Sequence, residues 1–174
     1  MFGYLRRGAM MSTPIYLRKM FSAVLLGGFA LGQQSVAADT KKCAAPELVV
    51  DSTYSPGQVW SYKARPGEGS STVTILRVET LPKVGVIIHV RIDGVHFKNC
   101  KGGPAPTSIE HAPFTRVAID RSVLRPLKTV PKLPKFEVGY GDWLAHCGGV
   151  YTVTVAEMID ADDNTFNTGL GCQT

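Results

Sequence analysis

The 174-residue chain has no uninterrupted run of about 20 apolar residues, so nothing in it reads as a retained membrane span. It has no C-x2-C pair, which argues against a structural zinc site. It has no G-x-S-x-G elbow, phosphate-binding glycine loop, dinucleotide fingerprint or zincin helix motif. No catalytic residue, metal or cofactor is therefore expected. Acids are missing from residues 1–38, and Lys and Arg are missing after Lys135. No internal repeat is present.

What is there suits one domain. A hydrophobic content of 44% with 19% charged residues can bury a core and is too apolar for disorder. The net charge of +5 overstates how basic the folded part is. Arg6, Arg7, Arg18 and Lys19 account for four of those charges, and without residues 1–38 the remainder is about neutral, which gives no general case for nucleic-acid binding. The charge is unevenly placed, however. Residues 39–135 are basic on balance, whereas Glu137, Asp142, Glu157, Asp160, Asp162 and Asp163 make the remainder purely acidic. Two readings follow: halves that pack with complementary charge, or a basic surface for an anionic partner.

Residues 18–38 have the parts of a secretory signal. Arg18 and Lys19 precede an uncharged stretch, Phe21–Leu31, and Val36, Ala37 and Ala38 supply small residues before a cleavage point near Ala38. Met10, Met11 or Met20 is the alternative start. The expected organisation is a signal peptide over 1–38, an N-terminal arm over 39–55 and a single domain over 56–174, periplasmic or secreted. Cys43, Cys100, Cys147 and Cys172 all follow the signal, and an even count in an oxidising compartment predicts two disulfides. Three connectivities exist. The expected topology favours Cys100 with Cys147 and Cys43 with Cys172.

Gln58–Ala64, Thr72–Thr80 and Val86–Ile92 alternate as strands, separated by turns at 65–70 and 81–85. Residues 98–113 read as a loop. Thr115 is an N-cap candidate for a helix over Arg116–Leu124, with Phe114 and Ile119 as a hydrophobic staple. Residues 125–135 hold three prolines and read as an extended basic connector. A second helix is expected over Phe136–His146, where Phe136, Tyr140, Trp143 and Leu144 form a stripe. Val150–Val155 reads as a last strand, and residues 156–167 as either a short helix or a polar tail. The fold class is α+β, β-β-β-α-α-β with an optional final helix, an antiparallel sheet with helices on one face and two disulfides.

The runs GQVWSYKARPGEGSSTVTILRVE, VIIHV, EHAPFTRVAIDRSV and GGVYTVTVAE resemble a group of small bacterial domains. That group has a G-Q-x-W-x-Y strand, an R-P-G-E turn and an H-x-P-F sequence leading into a helix. The resemblance covers about residues 56–157 and implies the order of elements, without an activity.

Candidate binding residues are Arg65 and Glu68 at the first hairpin tip, His111 before the first helix, and Lys128, Lys132 and Lys135 in the connector. Arg65 and Glu68 form either a turn-fixing ion pair or a recognition loop. His111 either orients the helix or serves a hydrolase with Glu110, Asp142 or Glu157. His89 and His96 fall on opposite faces of a regular strand, so they would form a metal pair only with a bulge at Asp93-Gly94. The leading expectation is an interaction module that binds a protein or an anionic envelope component, for example an immunity or inhibitor protein. A small envelope hydrolase and a structural envelope protein are the alternatives. Nucleic acid is not an expected partner.

Overall fold

The computed structural model describes residues 43–172, so the expected signal peptide and its cleavage point lie outside the described residues. Its elements in chain order are β1 (Glu47–Leu48), β2 (Gln58–Tyr62), β3 (Thr72–Leu81), β4 (Gly85–Asp93), β5 (Ser108–Thr115), α1 (Arg116–Ser122), β6 (Val123–Thr129), α2 (Glu137–Ala145) and α3 (Val155–Gly169). The strands form one antiparallel sheet in the order β5-β4-β3-β2-β6, with β1 on the end of β3 that β2 leaves free. The class is α+β with two disulfides. No helix among the described residues is long and apolar enough to cross a membrane.

Strand alternation assigns the faces. On β4, Ile88 lies between Val78 and Phe114, and Val90 between Ile75 and Ala112. With Ile92, Val73, Trp60 and Tyr62 they build the core on one face. A bulge between Ile75 and Arg77 restores the inward row along the ten-residue β3. Two helices cover this face: α1 through Ala118 and Ile119, and α3 through Val155, Met158 and Ile159. The Thr115 hydroxyl caps α1 by accepting from the Ala118 amide at 3.3 Å. The third helix, α2, lies on the opposite face, where the Tyr140 hydroxyl reaches Glu79 of β3.

The structure corrects several expectations. The last part of the 98–113 loop, from Ser108 on, is β5, and most of the basic connector's first half is β6. Both contain a proline, Pro113 or Pro126, and both lie at a sheet edge, where a missing N–H can face away from the ladder. Val150–Val155 is not a strand. Only Tyr151 bridges to Phe114, and the chain then enters α3 through a capping box, in which the Thr154 and Glu157 side chains reach each other's backbone amides. The signal for this was present as Thr154-Val155-Ala156-Glu157, but the alternation of Tyr151, Val153 and Val155 obscured it.

The disulfides join Cys43 to Cys147 and Cys100 to Cys172, overturning the favoured pairing. That pairing assumed a final strand. With α3 in its place, Cys172 arrives beside Cys100, where Asn167 accepts from the Cys100 amide through Oδ1 and from the Cys172 amide through its backbone carbonyl. Cys147, just past α2, meets Cys43 of the arm. The arm belongs to the fold: β1 extends the sheet, Tyr54 is buried in the core, and Asp51 accepts from Arg116 at 2.7 Å.

Candidate functional site

Three of the expected site residues come together. Lys128 on β6 pairs in register with Val59 on β2, and Val59 with Thr74 on β3, so one cross-strand row points away from the core. Thr72 and Asp93 form a neighbouring pair on the same side. After β6 the chain turns back over this row. Its turn is anchored by Gly57, whose carbonyl accepts from the Val130 amide at 2.8 Å. Gly57 has φ +91°, and a Cβ there would fall 2.8 Å from the Val130 carbonyl oxygen, so the close approach needs glycine.

Between this segment and the sheet lies a groove of about 520 Å³, lined by Val59, Thr72, Thr74 and Asp93 on one side. Val130, Leu133, Pro134 and the three lysines, Lys128, Lys132 and Lys135, line the other. That volume falls within the range of ligand sites. None of the three lysines is in an ion pair among the described residues. The one acid in the lining, Asp93, already accepts from Arg91 at 2.8 Å. The groove therefore brings three lysines together with aliphatic side chains from both of its sides.

Arg65 and Glu68 are occupied within the chain. Arg65 donates to Glu68, to Asp163 at 3.0 Å and to Asp160 at 3.3 Å, which clamps the β2–β3 hairpin onto α3. Burial raises the Glu68 pKa, but the Arg65 donors and the His96 amide outweigh it and hold the carboxyl below its ordinary value. This is also where the basic and acidic halves of the chain meet.

His111 is not in a loop. It sits on β5, facing away from the core, and its Nε2 lies 2.9 Å from Nδ1 of His89 on β4. The other nitrogen of His89 lies 3.2 Å from Glu79 on β3 but is not aligned for a hydrogen bond. Glu79 is fully buried and accepts from Arg77 and, at 2.9 Å, from Tyr140 of α2. Trp143 and Tyr140 meet His89 edge-on, and Phe136 stacks on His111. Burial, with help from His111 and Arg77, pushes the His89 pKa down to about 3, and burial also lowers that of His111. Glu79, His89 and His111 form a line rather than a convergent set, since His89 turns its two nitrogens to different partners. They do not face a common point where a metal would sit.

Glu79 and His89 were not among the expected site residues. The outward position of His89 in the strand alternation was visible, but its neighbours depend on register: the β3 bulge brings Glu79 within reach, and β5 brings His111. His96, the partner considered from sequence, lies elsewhere, with its amide on Glu68. Thr72 and Thr74 were missed for the same reason, because a groove wall made from β3 depends on which way the connector folds. No protein-family model, curated protein or solved structure matches the chain. Function is therefore read from the chemistry of these sites.

Proposed function

We propose that this protein is an exported, non-enzymatic interaction module that binds an anionic partner, a protein or an envelope component, in the lysine-lined groove. One observation carries the reading: Lys128, Lys132 and Lys135 line a single concave site, and none of them is in an ion pair among the described residues. Two disulfides support an oxidising compartment, and hence a periplasmic or secreted location. An immunity or inhibitor protein is a concrete form, because a stapled scaffold loses little conformational entropy on binding. The test compares affinity capture from the native envelope by the wild-type protein and by the triple variant K128E/K132E/K135E. The partner should be lost from the variant while its melting temperature stays unchanged. Retention of the same partner at the same affinity would exclude the groove as the binding surface.

The Glu79–His89–His111 line favours a second reading, a small hydrolase with Glu79 as the carboxylate. It weighs less, because Glu79 and His89 have no exposed surface and α2 covers the pair.

A further inference from the structure

The occupant's chemistry depends on the groove being the binding surface, and granted that, the lining narrows it. The three lysines are strung along one segment. Lys128 lies near the end of β6, and Lys132 and Lys135 lie beyond the turn that follows it, so the three charges stand around the groove rather than at one point. A small anion with one charged group would leave most of that charge unmatched, whereas a ligand with several spaced anionic groups matches it. The lining contains no aromatic side chain. Bases of a single-stranded nucleic acid would find nothing to stack on, and a sugar ring would find no aromatic face for its C–H groups. Aliphatic side chains are present instead, Val59 on the sheet side and Val130, Leu133 and Pro134 on the other, and they suit a branched aliphatic side chain. The hydroxyls of Thr72 and Thr74 add groups that can donate to carbonyl or carboxylate oxygens. Strand addition at the neighbouring sheet edge is disfavoured, since β6 carries Pro126, which removes a donor.

We propose that the groove holds an extended acidic segment of a partner protein. One aliphatic side chain of that segment rests on Val59, Val130 and Leu133, and its carboxylates pair with Lys128, Lys132 and Lys135. Exposed ion pairs of this kind are individually weak and screened by salt. Affinity then comes from several pairs acting with the apolar anchor, and discrimination comes from the anchor.

The full-length, oxidised protein is titrated with three probes: a capped Asp-Leu-Glu-Val-Asp-Glu peptide, a polyuronate, and phosphatidylglycerol vesicles. Binding is read by fluorescence anisotropy or co-sedimentation, and location by methyl NMR shifts. The peptide should bind, shift the methyls of Val59, Thr72, Thr74 and Leu133, and weaken as salt is raised. Replacing its Leu and Val by Ser should weaken it about tenfold, equivalent to about 1.4 kcal/mol. Lys132→Glu, at an exposed position, should do the same without altering the melting temperature. If the polyuronate or the vesicles bind at the lysines and the peptide does not, the acidic-protein occupant is wrong while the anion-binding groove stands. If no probe binds and the triple reversal also leaves envelope capture unchanged, both are wrong. Equal binding of the Ser-substituted peptide would remove the aliphatic anchor and with it the proposal.

Discussion

His89 is a buried imidazole between a carboxylate and a second imidazole, and its ionisation is linked to stability. Its folded-state pKa of about 3 lies below the ordinary value near 6.5, so the unfolded chain takes up a proton that the folded chain refuses. Stability should therefore be full above about pH 7 and fall as the pH drops from about 6.5 towards 3, by roughly 1.4 kcal/mol per pH unit at its steepest. His111 is shifted in the same direction and adds to the slope. Chemical denaturation midpoints measured between pH 7.5 and pH 4.5 check this, and His89→Gln should flatten the profile. A slope unchanged in that variant would place the acid sensitivity elsewhere. At this scale the sequence was half legible. The type and outward direction of His89 followed from the Ile-Ile-His-Val alternation, but neither Glu79 nor His111 could be assigned to it without the register.

At the scale of elements, α2 shows how packing divides two similar residues. Gly139 and Gly141 both lie inside the helix and both lower its intrinsic propensity. A Cβ at Gly141 meets nothing within 4 Å, so Gly141→Ala should stabilise the protein by about 0.5–1 kcal/mol. A Cβ at Gly139 would fall 2.9 Å from the His111 Cβ, on a strand that cannot easily yield, so Gly139→Ala should destabilise despite the same propensity gain. Thermal midpoints of the two variants should move in opposite directions, and a rise in both would mean that α2 does not pack tightly on β5. Of the helices, α3 had its cap hidden by the alternation that precedes it, whereas α1 announced itself through its cap and α2 through its stripe. The strands β5 and β6 did not, because Pro113 and Pro126 mark non-strand in a local reading and become acceptable only once the strand is known to be an edge.

At the scale of the whole molecule, the two bridges tie the ends of the described residues to their middle. Cys43 and Cys147 are 104 residues apart, and Cys100 and Cys172 are 72 apart. Closing loops of this length stabilises by roughly 4.5 kcal/mol each in the chain-entropy account. Peptide mapping under non-reducing conditions should recover Cys43–Cys147 and Cys100–Cys172, and a Cys43–Cys172 peptide would contradict the structure. The double variant C43S/C147S should lower the melting temperature and speed amide exchange in α2, which that bridge holds at its C-terminal end.

The sequence by itself determined the α+β class, the β2–β3–β4 meander, the Thr115 cap and the presence of two disulfides. Each depends on interactions within a few residues, or on composition alone: side-chain alternation, a hydroxyl beside free amides, an even cysteine count. Tertiary structure alone decided which cysteines pair, where the proline-bearing edges run, and that Lys128, Lys132 and Lys135 close over Val59, Thr72 and Thr74. It also decided that Glu79, His89 and His111 line up beneath α2. Those outcomes join residues from 10 to 104 positions apart, across strand registers and chain turns that no local pattern encodes.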